Sequence, residues 1–150
     1  MEENKDVGMC GTSVIHINEQ WVKISATHVP ESDQEIRSKL MRFNQFAHAS
    51  IVFRKDVIEK VGNYNPDYNG AEDYEFWLRI GTHFKLANLP DYSFKYRHNN
   101  QWVSAKKSRT QWWFGLKIAY KYRKNYPHFW LYCLPRLIVI LLPRDLITTI

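Results

Sequence analysis

The sequence predicts an α/β fold in one domain of ordinary size, and two observations support this. Short segments rich in β-branched residues alternate along the 150-residue chain with segments whose apolar residues recur at helical spacing. The composition, with 45% hydrophobic, 15% aromatic and 24% charged residues, is typical of a folded protein. A chain of this length can also bury a sizeable hydrophobic core.

Five segments carry the pattern of β-strands. β-branched and aromatic residues are concentrated in them, and turns containing polar residues, glycine or proline bound them. They are residues 7–17, 21–24, 48–53, 84–89 and 92–97. A polar turn joins the first two, and Pro90 with Asp91 forms the turn that we expect between the last two.

Helical segments lie between and after these strands, at residues 32–43, 55–61, 72–83 and 112–126. The first begins with Ser32 and Glu35, which have the spacing of a capping box, and we expect Leu40 and Phe43 to face the core. Gly62 follows the second helix and can end it with a positive φ. The apolar run at residues 129–142 is shorter than the roughly 20 residues that cross a bilayer.

The charge is divided unevenly along the chain. Residues 1–94 contain ten Lys/Arg and fourteen Asp/Glu, whereas residues 95–150 contain eleven Lys/Arg and the single acid Asp145. Because the basic part is also rich in aromatic and aliphatic residues, it predicts contact with an anionic membrane surface and no nucleic-acid partner. The alternative is that its aromatic residues pack back on the domain. We therefore divide the chain into residues 1–104 and a helical tail, residues 105–150.

The cysteines and the amino terminus predict the compartment. Cys10 and Cys133 lie far apart and have neither metal-binding nor redox spacing, so we expect two unpaired, buried thiols in a reducing compartment. The amino terminus is acidic and polar, unlike a signal peptide. Together with the basic tail, these features predict a cytoplasmic protein that lies peripherally at the inner face of the membrane.

Several segments, in order along the chain, resemble the later part of a family 2 glycosyltransferase catalytic domain of the GT-A type. They are DVGMCGT at 6–12, FAHAS at 46–50, FRK at 53–55, EKVGNY at 59–64, GAEDYEFWLR at 70–79, ANLP at 87–90 and YRH at 96–98. The likeness covers about residues 5–104. It implies a partial GT-A-like, Rossmann-like domain with a mixed sheet, followed by basic, aromatic-rich helices.

One part of the family pattern does not occur in this chain. Family members bind the nucleotide through an earlier α/β unit that ends in Asp-x-Asp, whose carboxylates hold Mg²⁺ or Mn²⁺, and the chain contains no Asp-x-Asp. The resemblance implies such a divalent cation as cofactor, with those ligands outside the chain. We therefore expect a fragment of a longer enzyme, a chain that works with a separate donor-binding chain, or an inactive remnant.

The resemblance implies that Asp73 is the catalytic base. Inverting sugar transfer needs a base that takes the proton of the acceptor hydroxyl while its oxygen attacks the anomeric carbon. An aspartate with its ordinary pKa of about 4 is ionised at neutral pH, and the start of a helix favours the charged form. The alternative is that Glu72 and Asp73 only cap the helix that follows them.

The resemblance also implies roles for four further residues. Glu72, Tyr74 and His48 are expected to contact the acceptor. His98 is expected at the metal or diphosphate site, where an imidazole is an acceptable Mn²⁺ ligand. The family carries Tyr-Arg-x-His at this point, whereas His98 follows Arg97 directly, so an exposed loop histidine is the alternative.

Taken together, the resemblance implies that the chain belongs to a glycosyltransferase. The expected reaction is inverting transfer of a sugar from a nucleotide-sugar donor to a glycan or lipid-linked acceptor, in the synthesis of a cell-surface polysaccharide. The alternative is a non-catalytic, membrane-associated remnant, or the partner subunit of a split glycosyltransferase.

Overall fold

A mixed β-sheet around one long strand organises the protein. The computed structural model describes residues 1–98 and 108–141. The strands of this part are β1 (Val7–Ile17), β2 (Lys23–Thr27), β3 (Val52–Phe53) and β4 (Lys85–Arg97). β1 pairs antiparallel with β2 and β3 and parallel with β4. With the helices described below, this is an α/β fold with a mixed, open sheet, which is compatible with a Rossmann-like domain.

The prediction of two separate strands at residues 84–89 and 92–97 is wrong, because both belong to β4. Residues on both sides of Pro90 pair with β1 in parallel, from Val7 opposite Lys85 to Ile17 opposite Arg97. The register shifts between Thr12 and Val14, where residues 90–93 leave the ladder. Proline has no N–H to donate, so it interrupts strand pairing locally. Here the interruption produces a bulge and no reversal of the chain.

The described residues contain five α-helices. They are α1 (Asp33–Leu40), α2 (Lys55–Val61), α3 (Glu72–Gly81), α4 (Ser108–Tyr122) and α5 (Phe129–Leu141). The Ser32 hydroxyl accepts a hydrogen bond from the N–H of Glu35 at 3.3 Å, which confirms the predicted cap of α1. Gly62 ends α2 with a φ of 77°. None of the helices in these residues is long and apolar enough to cross a membrane.

Two local predictions between α1 and α2 are wrong. α1 ends at Leu40, which is buried, whereas Phe43 is 53% exposed and does not face the core. The predicted strand at residues 48–53 is a 3₁₀ turn, His48–Ser50, followed by the two-residue β3. The Ser50 hydroxyl donates to the carbonyl of Ala47 at 2.9 Å, and the Ser50 N–H donates to the same carbonyl. Such local hydrogen bonds of serine favour a turn over a strand.

α3 lies at the centre of the hydrophobic core. Its side chains Phe76, Trp77, Leu78 and Ile80 are fully buried. They belong to one cluster that also contains residues of β1, α1, α4 and α5, among them Met9, Ile36, Leu40, Ile118, Phe129 and Cys133. The helices of the predicted tail therefore share the core of the rest of the chain. Cys133 is buried as expected, whereas Cys10 is only half-buried, and the two form no disulfide within the described residues.

A buried glutamate fixes α4 against α3. Glu75 accepts hydrogen bonds from the Tyr122 hydroxyl at 2.6 Å, from Lys121 Nζ at 2.9 Å and from Arg79 Nη2 at 2.9 Å. Burial by itself raises the pKa of Glu75, but these three donors outweigh burial and the resulting pKa lies below the ordinary value. Glu75 is therefore an ionised, fully buried anchor between the two helices.

Candidate functional site

Asp73 lies in the first turn of α3, at the wall of an open cleft. Its Oδ2 accepts a hydrogen bond from Asn44 Nδ2 at 3.0 Å, and its Oδ1 accepts one from the N–H of Tyr74 at 2.7 Å. Asn44 is itself held in place, since its Oδ1 accepts from the N–H of Phe46 at 3.1 Å. Within the described residues the Asp73 carboxylate forms no ion pair. The two hydrogen bonds therefore orient the Asp73 carboxylate without neutralising its charge.

Burial raises the pKa of Asp73 above the ordinary aspartate value. The N–H of Tyr74 and the charge of His48 lower this pKa in part, and the negative charge of Glu72 raises it further. The position at a helix start favours the charged form, but burial outweighs it. A carboxylate with a raised pKa binds a proton more tightly, and it is therefore a better general base than an exposed one.

The cleft beside Asp73 has a volume of about 360 Å³ and is formed by three segments. These are the loop after α1, the start of α3 and the start of α4, which contribute Arg42, Phe43, Asn44, Gly70, Ala71, Asp73, Tyr74, Gln111, Trp112 and Gly115. Gln111 Nε2 donates to the carbonyl of Gly70 at 3.0 Å and so joins α4 to the segment before Asp73. The cleft therefore combines a carboxylate, a cation, amides and three aromatic side chains.

Sequence reasoning did not single out Asn44, Gln111 or Trp112 as site residues. Asn44 lies 29 residues before Asp73, and Gln111 lies 41 residues after Gly70. No local pattern marks such a residue, because its role depends on a contact between distant parts of the chain. For Trp112 the only signal was the aromatic character of the tail, which we interpreted as a membrane feature.

Glu72 and Tyr74, which we expected to contact the acceptor, flank Asp73 but are partly engaged elsewhere. Glu72 Oε2 accepts from the N–H of Gly70, which has a φ of 93°, and so supports the turn into α3. The Tyr74 hydroxyl donates to the carbonyl of Leu40 at 2.8 Å inside the core. The acceptor contacts of both residues stay predictions.

His48 lies near Asp73, on the 3₁₀ turn before β3. Its Nε2 forms a hydrogen bond with the Tyr64 hydroxyl at 3.1 Å, and its ring meets Trp77 edge-on at 5.7 Å. The side chain is exposed, and its charge influences the pKa of Asp73. The structure therefore places His48 close enough to Asp73 to influence the pKa of its carboxyl group.

His98 lies at the end of β4 and pairs with a histidine of β1. His98 Nε2 is 2.7 Å from His16 Nδ1, and His16 Nε2 is 2.8 Å from the Thr27 hydroxyl. His16 lines a second cavity of about 710 Å³, and Asn44 lines both this cavity and the cleft beside Asp73. The segment that carries Asn44 therefore separates the two spaces. His98 is a member of a hydrogen-bonded pair and no isolated loop histidine.

The ligands for a divalent cation are incomplete in the described residues. His16 and His98 provide two imidazoles, and no group of three or more His, Cys, Asp or Glu that could hold a metal occurs in residues 1–98 and 108–141. Mg²⁺ in particular prefers oxygen ligands in octahedral geometry. The divalent cation, with ligands outside the described residues, and a role of His98 beside it stay predictions.

Comparison with known proteins adds an independent observation. No protein-family profile matches the chain. Over 100 residues, which are 64% of this chain, it is 35% identical to the O-antigen biosynthesis glycosyltransferase WbnJ of Escherichia coli. Over 74 residues, 48% of this chain, it is 34% identical to an uncharacterized glycosyltransferase of Haemophilus influenzae. The chain is similar to part of a glycosyltransferase.

These matches cover 38% of the Escherichia coli glycosyltransferase and 23% of the Haemophilus influenzae glycosyltransferase. The chain therefore spans less than half the length of either glycosyltransferase that it matches. An oriented carboxylate in an open cleft is the kind of group that can take a proton from a hydroxyl.

Proposed function

We propose that the chain forms the acceptor side of an inverting glycosyltransferase, with Asp73 as the catalytic base. The observation that carries the proposal is the Asp73 carboxylate, which Asn44 orients at the wall of an open cleft and whose pKa is raised by burial. The similarity to two glycosyltransferases supports the reaction class.

In the proposed reaction, a hydroxyl of the acceptor sugar lies in the cleft and donates a hydrogen bond to Asp73. As the hydroxyl oxygen attacks the anomeric carbon of the donor, its proton moves to the Asp73 carboxylate. The bond between the anomeric carbon and the diphosphate oxygen breaks, and the nucleoside diphosphate leaves with the electron pair. Attack from the face opposite the leaving group inverts the configuration at the anomeric carbon.

The proposal includes the finer features that the resemblance implies. These are a family 2, GT-A-type enzyme, a nucleotide-sugar donor, a glycan or lipid-linked acceptor, and contacts from Glu72, Tyr74 and His48. A divalent cation would stabilise the leaving diphosphate, but it would need ligands beyond those described, and no step is assigned to it. We place the reaction at the cytoplasmic face of a membrane, where a lipid-linked acceptor is within reach.

The substitution Asp73→Asn tests this proposal, because asparagine keeps the shape of the side chain and cannot accept the proton. In the enzyme that includes the donor-binding unit, we expect sugar transfer to fall by about 10²–10⁴-fold, the usual contribution of a general base, while nucleotide binding is unchanged. Asp67→Asn is the matched control, since Asp67 is an exposed acid in the preceding turn. Near-normal turnover of the Asp73→Asn variant would remove Asp73 from the role of base.

A further inference from the structure

α5 presents a stripe of large apolar side chains to the outside of the molecule. Trp130 is 77% exposed, Leu131 and Leu134 are both 63% exposed, and Ile138 is 58% exposed. With Leu137, these positions follow the i, i+1, i+4, i+7, i+8 spacing of one helical face. Exposed apolar patches of this continuity mark surfaces that contact another molecule or a membrane.

The opposite face of α5 holds the helix on the domain. Phe129 and Cys133 are buried and belong to the central core. The stripe, which we call the α5 outer face and define as Trp130, Leu131, Leu134, Leu137 and Ile138, is therefore fixed in its orientation. α5 therefore carries apolar side chains on its outer face as well as on its buried face. A helix with this pattern is normally shielded from water on both faces.

A cation and aromatic rings border one end of the α5 outer face. The Arg123 guanidinium lies 3.9 Å from the centre of the Tyr120 ring, and Tyr120 meets Phe129 edge-on at 6.1 Å. Phe129 in turn packs against Trp130 at 5.0 Å. Lys124, next to Arg123, is exposed. Basic groups and aromatic rings next to exposed aliphatic side chains are the combination that helices at a membrane interface carry.

We propose that the α5 outer face docks the protein on the surface of an anionic lipid bilayer. Residues 95–150 contain eleven basic residues and one acid, which anionic headgroups complement. The excess of basic residues in this segment disfavours a second copy of this chain as the occupant, because like charges repel. The helix lies in the interface plane, with its apolar side chains among the upper acyl chains. The inference does not depend on glycosyl transfer and needs no catalytic residue.

Vesicle co-sedimentation of two matched variants tests the docking surface. Ile138 on α5 and Ile24 on β2 are both 58% exposed, so Ile138→Glu and Ile24→Glu place the same new charge on equally exposed isoleucines. With vesicles of phosphatidylglycerol and phosphatidylethanolamine, we expect Ile138→Glu to weaken binding about tenfold or more and Ile24→Glu to leave it unchanged. Circular dichroism checks that both variants are folded.

Lipid composition and salt test the electrostatic part of the inference. We expect weaker binding of the unchanged protein to vesicles of neutral phosphatidylcholine, and weaker binding to anionic vesicles as the salt concentration rises. Equal binding of Ile138→Glu and the unchanged protein would overturn the inference, and so would equal binding to neutral and anionic vesicles. A dimer in solution that Ile138→Glu separates into monomers would also overturn it, because the α5 outer face would then be an interface between copies.

Discussion

Glu75→Ala is the substitution that tests most directly how α4 is held in place. It removes the acceptor of four hydrogen bonds, one each from Tyr122 and Lys121 and two from Arg79, at a position where the glutamate side chain is fully buried. Since α4 carries Gln111 and forms one wall of the cleft beside Asp73, the same substitution weakens the support of the candidate site.

The expected loss in the free energy of unfolding is about 3 kcal/mol. Removing one partner of a buried ion pair costs roughly 3–5 kcal/mol, because the other partner stays buried and unpaired. Two features place Glu75 at the lower end of this range. Arg79 keeps the carbonyls of Val61 and Asn63 as acceptors, and the Lys121 side chain is 45% exposed and can turn to water. The buried hydroxyl of Tyr122 accounts for most of the loss.

Urea denaturation followed by tryptophan fluorescence measures this loss, and Glu35→Ala is the control. Glu35 forms an i,i+4 pair with Lys39, as Glu75 does with Arg79, but the Glu35–Lys39 pair is about half exposed. An exposed pair of this kind contributes less than about 1 kcal/mol. If Glu75→Ala costs no more than Glu35→Ala, with equal dependence on urea concentration, the buried network does not anchor α4.

The pH dependence of the same measurement follows from the pKa of Glu75. This pKa lies below the ordinary value of 4.5 in the folded protein. The stabilisation by the ionised carboxylate is therefore complete above pH 4.5 and is lost as the pH falls through the folded value. The difference between the unchanged protein and Glu75→Ala should shrink in that acidic range and stay constant above it.

Two further substitutions separate the site from the scaffold. Asn44→Ala removes the amide that donates to the Asp73 carboxylate, so the pKa of Asp73 should rise further. A pH–rate profile of sugar transfer should then show its acidic limb at higher pH, and an unmoved limb would contradict the role of Asn44. Gly81→Ala should destabilise by about 1–3 kcal/mol, although alanine is usually favoured over glycine in a helix by about 1 kcal/mol. The new Cβ would collide with the Tyr126 hydroxyl, and thermal denaturation that shows a gain in stability would refute this.

Local chemistry determined the features that the sequence predicted. The Ser32 cap, the end of α2 at Gly62 and the start of α3 at Glu72 each depend on residues within one or two turns of the chain. The Glu-Asp pair at the start of α3 was recognisable for the same reason, because the residues around it form a continuous segment. These interactions form between residues that are close in sequence, so a short segment of the sequence is enough to predict them.

Only the tertiary structure decided which groups meet across long separations. The contact of Asn44 with Asp73, the buried position of Glu75 among three donors, and the alignment of both halves of β4 on β1 join segments tens of residues apart. The same holds for α5, whose apolar residues look alike in sequence but divide into a buried and an exposed face. The burial of a side chain and its pKa depend on which groups pack around it. Those neighbours come from distant parts of the chain, so the sequence alone does not reveal them.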